Sequence, residues 1–185
     1  MFTHVECDLP KLKRQNIDGA RYYTVNGKPM VSITSVTSYY NKQIFVDWRK
    51  RIGDAEADRI TRRATSRGTA THHLIENHLL NKEVEFDKPS PKMLFLQAKE
   101  TLKKINNIYA LESSLFSEEL GVAGTVDCIA EYDGELSIID FKTAEKPKPR
   151  EWIENYFVQA AAYACMFFER TGIPVKKLVI IMTCE

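Results

Sequence analysis

The sequence has little of what staples or addresses a chain. Its four cysteines (Cys7, Cys128, Cys165, Cys184) are scattered over 185 residues. They form no C-x-x-C pair and have no histidine beside them, so spacing supports neither a zinc knuckle nor a redox dithiol. Reduced thiols in a cytoplasmic protein are the expectation. No apolar run approaches the roughly 18 residues of a membrane-crossing helix, so no membrane association is predicted. Met1 to Pro10 lacks an apolar stretch and carries Glu6 and Asp8, which argues against a secretory or transit leader. There is no internal repeat and no low-complexity tract. The net charge of +1 excludes a globally basic surface, so any nucleic-acid footprint must be a local patch.

What is present is an ordinary globular balance, 44% hydrophobic and 28% charged. A chain this long buries roughly 70% of its unfolded surface and needs no staple. One domain over residues 1–185 is expected, mainly helical over about 31–110 and sheet-rich over about 112–185, either as a minimal fold or as one truncated at its C-terminus. Arg21 to Val25 reads as a strand and Asn26-Gly27 as a turn. Ser32 to Tyr40 is ambiguous: β-branched residues favour a strand, yet Thr34 or Ser35 could cap a short helix. Ile44 to Ile52 reads as helix, and Asp54 can cap a long one reaching about Leu80. Asn81 to Pro91 is loop-like, and Lys92 to Ala110 returns to a helical pattern. Ser114 to Leu120, Gly124 to Tyr132 and Glu135 to Lys142 read as strands. Glu151 to Thr171 is a helix stopped by Gly172 and Pro174, and Val175 to Thr183 a buried strand. Helices first, then hairpin, helix and strand, imply an α/β or α+β sheet flanked by helices.

The segment Gly124 to Lys142 carries the chemistry. Asp133-Gly134 is a strong two-residue hairpin signal. Pairing Tyr132 with Glu135 and counting back sets Asp127 opposite Asp140. Opposed residues have Cβ atoms roughly 4.5–5.5 Å apart. Two carboxylates that close repel, so one takes a proton or a cation sits between them. Period two puts Lys142 on the face of Asp140. Hard divalent cations take such oxygen ligands, and a neighbouring lysine can offset charge developing on a phosphate. The set suits metal-assisted phosphodiester hydrolysis. The alternative is a surface hairpin with a salt-bridged Asp and Lys, weakened by the apolar run Leu136 to Ile139 leading into Asp140.

Two helical elements could complete the site. Ala64, Gly68, His72 and Glu76 share a stripe whose small members permit close approach to a sheet, bringing His72 near the acids. Gln159 and Tyr163, also four apart, flank alanines. They could support the site or pack in the core. Arg59, Arg63 and Arg67 form a further stripe, which is either a solvated face or a phosphate-binding edge. Lys146, Lys148 and Arg150 lie on a proline-stiffened loop just after Lys142.

Taken in order, G-x-x-x-H (Gly68 to His72), G-T-V-D with I-D-F-K (Gly124 to Asp127, Ile139 to Lys142) and Q-x-x-x-Y (Gln159 to Tyr163) resemble the PD-(D/E)XK nuclease superfamily. Within it, the resemblance is to the RecB-like branch and its exonucleases of bacteriophages and mitochondrial genome maintenance. It covers the chain from about Val31. It implies an α/β restriction-endonuclease-like core, a central mixed sheet flanked by helices, and a DNA exonuclease using Mg²⁺ or Mn²⁺ on single-stranded ends. By resemblance, His72, Asp127 and Asp140 are metal ligands and Asp127, Asp140 and Lys142 catalytic. Gln159, Tyr163, Thr143 and an upstream acid support the site or substrate. Glu112 and Glu119 both qualify as that acid, with Glu112 favoured. The arginine stripe and Lys146, Lys148 and Arg150 would track DNA backbone. The cysteine trio that holds an iron–sulfur cluster in some relatives is missing, so no cluster is expected. A bacterial or phage-infected cytoplasm is the expected location. A structure-specific endonuclease or a non-cleaving DNA-binding accessory are the alternatives.

Overall fold

The computed structural model describes residues 1–39 and 41–185. Tyr40, the last residue of the ambiguous Ser32 to Tyr40 segment, lies outside the described residues. Two antiparallel hairpin steps open the chain: β1 (Lys13–Ile17), β2 (Ala20–Val25) and β3 (Lys28–Ser32). Asn26 and Gly27 turn the second step with φ of 49° and 77°, the left-handed pair that a two-residue loop requires. The ambiguous segment is a strand end followed by a helix, α1 (Ile33–Tyr39). Its first turn is held by Ser32, whose hydroxyl accepts the Thr34 N–H at 3.3 Å, rather than by Thr34 or Ser35.

Helix α2 (Lys42–Ile52) is followed by the long α3 (Asp54–Leu79) and by α4 (Pro89–Leu102). Asp54 is the first residue of α3 and not its cap, which is Gly53 at φ 86°. The expected helix over Lys92 to Ala110 is corrected. It stops at Leu102, and β4 (Ile105–Ser117) takes the rest, including most of the strand read as starting at Ser114. Apolar residues at 105, 108, 111 and 115 imitate helical spacing because β4 is irregular. Its register against β5 shifts between Asn106 and Ile108 and again between Ile108 and Ala110. Then come β5 (Val122–Tyr132), β6 (Glu135–Ala144), a short 3-10 turn (Arg150–Trp152), α5 (Glu154–Thr171) and β7 (Lys177–Cys184).

Among the described residues the strands make one mixed seven-stranded sheet, ordered β1-β2-β3-β5-β6-β7, with β4 also on β5. β3 and β7 pair in parallel with β5 and β6, and the other pairs are antiparallel. Helices cover both faces. Leu74, Ile75 and Leu79 of α3, with Phe95, Ala98 and Leu102 of α4, pack on Cys128, Ala130, Ile139 and Phe141. Ile33 of α1, with Ala160, Tyr163, Met166 and Phe167 of α5, packs on Leu115, Val126, Ile129 and Ile138. Ile138 and Ile139 serve opposite faces, which is why the run before Asp140 is continuously apolar. No helix among the described residues is long and apolar enough to cross a membrane.

One arrangement in the sheet positions everything that follows. β4 runs along one edge of β5 from Val122 to Tyr132. The other edge is shared. β3 pairs there with Val122 and Ala123, and β6 pairs from Cys128 to Tyr132. Between them the stretch Gly124 to Asp127 has no ladder partner on that side.

Gly124 is where α5 meets this gap. A Cβ on it would lie 2.7 Å from Tyr163 Cε1, 2.8 Å from Tyr163 Oη and 3.1 Å from Ile33 Cγ2. Tyr163 is fully buried and has nowhere to move. Gly68 differs: a Cβ there meets only Thr143 Oγ1, at an ordinary 3.5 Å. The two motif glycines are therefore expected to respond in opposite directions. Gly124→Ala should destabilise by about 1–3 kcal/mol through overpacking. Gly68→Ala should stabilise by about 0.5–1 kcal/mol, because alanine is the better helix former. Urea unfolding of the two variants checks both signs.

Candidate metal centre and active site

The β5–β6 hairpin has the register that Asp133-Gly134 dictates, from Tyr132 with Glu135 to Cys128 with Ile139. The expected next pair, Asp127 with Asp140, is not part of the ladder. Hydrogen-bonded pairs alternate along the hairpin, so the Phe141 N–H would next donate to the Val126 carbonyl. It donates instead to Asp127 Oδ2 at 2.8 Å. The strands part at this point, and a side-chain carboxylate closes the fork.

Across β5, Glu112 of β4 lies between the paired positions Leu111–Cys128 and Ser113–Val126. Its φ is +43°, a left-handed conformation that costs a non-glycine residue about 1–3 kcal/mol. The inside–outside alternation breaks here in both strands. Leu111 and Cys128 belong with the α3–α4 face, whereas Leu115 and Val126, an even number of residues away, belong with the α5 face. The strain at Glu112 accompanies this change of face.

α3 crosses above the fork and brings down His72. Its Nδ1 is 3.8 Å from Glu112 Oε1 and 3.8 Å from Asp127 Oδ2. Its ring stands edge-on to Phe141 with centroids 6.2 Å apart. His72, Glu112 and Asp127 each bring one ligand atom within 4.8 Å of the others. Asp140, predicted as the third ligand, is not in this trio. It is 2% exposed and in ion-pair contact with Lys142. The contact runs through Asp140 Oδ2, the oxygen turned toward the Lys142 ammonium.

The electrostatics are those of acids crowded out of water. Burial, and then the Asp140 charge, push the Asp127 carboxyl up to about 7. Burial raises Asp140 as well, against the opposing pull of Lys142. For His72, burial favours the neutral ring, but the nearby Glu112 and Asp127 carboxylates outweigh it and the pKa rises. One imidazole nitrogen and two carboxylate oxygens, with the buried Asp140–Lys142 pair beside them, fit a divalent cation. Donors about 2.0–2.2 Å from one ion lie up to about 4.4 Å apart, so the trio needs only slight closure.

The other expected residues fall into three groups. Gln159 and Tyr163 are buried on α5, with the amide donating to Tyr163 Oη at 3.3 Å, and burial drives the phenol pKa upward. They wall the fork behind Gly124. Thr143 faces Gly68 and seats α3 on β6. The basic residues are the most altered. Arg59 is exposed and bound to Glu56, with bonds of 2.7 and 2.6 Å. Arg63 and Arg67 both hold Glu185, at 3.2 and 2.6 Å. Arg67 is only 9% exposed, so an internal carboxylate takes the group expected to meet a phosphate. The cause is that the stripe turns inward toward the end of β7. Lys146 and Lys148 lie on an exposed loop and Arg150 opens the 3-10 turn after it, stacked 3.9 Å above Phe157. Glu119 sits in the exposed turn after β4, leaving Glu112 as the acid at the site. A cavity of about 390 Å³ opens beside Glu112, walled by Tyr109, Ser113 and the segment Cys7 to Leu12. No motif in the chain points to that wall.

The raised groups fix the sign of a pH effect in cation-free protein. A carboxyl moved from 3.8 to about 7 loses stabilisation as pH rises through that interval. An imidazole raised above 6.5 loses its contribution as pH rises through its folded value. Both act in the same direction. Thermal melts in chelator should give a lower midpoint at pH 8 than at pH 5.5, and Asp127→Asn should reduce the difference.

A family model described as the PD-(D/E)XK nuclease superfamily matches residues 47–181. The chain is 31% identical over 147 residues to the mitochondrial genome maintenance exonuclease 1 of Homo sapiens, covering 73% of this chain and 42% of that protein. It is 32% identical over 155 residues to the protein of the same name from Xenopus tropicalis, covering 78% and 44%. The chain thus spans less than half the length of these curated relatives. With its mixed sheet, helical flanks and ordered motifs, the chain belongs to the PD-(D/E)XK nuclease superfamily.

Proposed function

We propose that the protein is a divalent-metal-dependent DNA exonuclease acting on single-stranded ends. The observation that carries this reading is the convergence of His72, Glu112 and Asp127 beside the Asp140–Lys142 pair. The exonuclease names of the relatives support the reaction type and the DNA substrate.

His72, Glu112 and Asp127 would hold the ion, with Asp140 beside them. A nitrogen among carboxylate oxygens suits Mn²⁺ as well as Mg²⁺. When bound, the ion supplies an activated water and neutralises charge on the scissile phosphate. The protein's own groups do the rest. His72 is oriented by Glu112 and Asp127, and Asp127 is fixed in turn by the Phe141 N–H. Lys142 offers an ammonium, paired with the buried Asp140, to a phosphoryl oxygen that gains charge in the reaction. Lys146, Lys148, Arg150 and the exposed Arg59 and Arg63 offer cations to the flanking phosphates. The expected compartment is a bacterial or phage-infected cytoplasm.

End-labelled single-stranded DNA should be degraded with Mn²⁺ or Mg²⁺ and left intact in chelator. Lys142→Ala should lower kcat by about 100-fold or more, the scale of losing one transition-state charge partner. Its fold should survive, because Asp140, already raised by burial, can take a proton instead of standing as an unpaired charge. Wild-type activity that persists in Lys142→Ala would sink the assignment of the site. Circular single-stranded DNA should resist cleavage, and its linearisation would turn the reading to an endonuclease. Both divalent ions should raise the wild-type melting midpoint, with a much smaller rise in Asp127→Asn.

A further inference from the structure

Lys142 has one acidic partner, Asp140, and one aromatic one. Its ammonium lies 5.1 Å from the centroid of the Tyr156 ring. Lys148 of the basic loop meets the same side chain at its hydroxyl edge, 5.4 Å from the ring centroid. Lys148 Nζ also donates to Tyr156 Oη at 2.8 Å. Tyr156 sits in the first turn of α5, on the stripe that continues through Gln159 and Tyr163. It is half-buried, between the fork and the loop that leaves it.

We propose that Tyr156 is a positioning residue for Lys142 and the spacer that sets Lys142 and Lys148 at a fixed separation. This deepens the nuclease reading above and rests on it. A ring face attracts an ammonium within about 6 Å without accepting a directional hydrogen bond. Lys142 is therefore held in place while its N–H groups stay available for a phosphoryl oxygen. An acidic second partner would hold it equally well but would consume a donor and reduce its net positive field. The phenol hydroxyl does a separate task. It ties Lys148 to the same ring, so a cation on the exposed loop stands at a set distance from the cation at the fork. The spacing suits a polyanionic strand that lays one phosphate at the reacting centre and a neighbouring one on the loop. Ring and hydroxyl thus have separable roles, one in the chemical step and one in binding.

Three variants separate them: Tyr156→Leu, which removes ring and hydroxyl; Tyr156→Phe, which keeps the ring; and Lys148→Met. In single-strand degradation with Mn²⁺, Tyr156→Leu should lower kcat about tenfold, the scale of a partly desolvated cation–π contact. Tyr156→Phe should restore kcat while keeping a several-fold raised KM, matched by Lys148→Met. A structural readout needs no turnover. The Lys142 side-chain protons should show an upfield ring-current shift by NMR, present in wild type and Tyr156→Phe and lost in Tyr156→Leu, with the signal assigned through Lys142→Ala. Equal kcat in the leucine and phenylalanine variants, or no ring-current shift in wild type, would overturn the proposal. A clear shift in a wild-type protein that fails to cleave DNA would instead overturn the nuclease reading and leave the lysine's placement standing.

Discussion

The hydrogen bond from the Phe141 amide to the Asp127 carboxylate is the constraint on which the site depends. A β-hairpin left to itself would keep exchanging backbone bonds and hold its strands together. Here an acidic side chain takes over the next amide. The strands can then separate without orphaning a buried N–H, which would cost about 1–3 kcal/mol. The same bond fixes the carboxylate at the point where β3 and β6 leave the edge of β5 uncovered. Opening the sheet and placing the acid are one event.

That arrangement collects charge that the fold alone does not favour. Asp127 and Asp140 both resist ionisation where they sit, because burial outweighs the cations nearby, with the Asp140 charge adding to the rise at Asp127. Glu112 adds a third carboxylate on a strained backbone, and His72 leans on two of them. Strain, desolvation and like-charge crowding coincide at one place, which is the signature of a site built for a ligand rather than for stability. The rest of the molecule supports it with dense apolar packing on both faces of the sheet. The single glycine at which α5 touches β5 sets how near Tyr163 can come.

Much of this was legible in the residues. The Asp133-Gly134 turn dictated the pairing of β5 with β6, and the apolar run before Asp140 implied a strand buried on both faces. Gly68 and His72 pointed to a helix seated on the sheet. What was not legible has physical causes. The first half of β4 reads as helix because its irregular register spreads its apolar residues at three- and four-residue intervals. Glu112 could be named but not placed, since nothing in local sequence announces a left-handed glutamate. The parting of the strands at Asp127 was invisible for a related reason. Turn chemistry sets register near the turn, and a side chain overrides it six residues away. Arg67 looked like a free cation until the fold brought Glu185 to it. Nothing local marks Tyr156, because its partners lie on the strand and loop before it.

The edge of β5 shared between β3 and β6 also bears on how the chain acquires its chemistry. The β5–β6 hairpin is local and can form early, but the β3–β5 contact joins distant parts of the chain, and such contacts form slowly because loop closure must come first. The acids of the hairpin are 13 residues apart in the chain, whereas the imidazole of α3 and the β3 strand reach β5 only across much longer loops. A chain with the hairpin alone holds Asp127 and Asp140 without Glu112 or His72, so the candidate centre is complete only when contacts across the whole sheet are made.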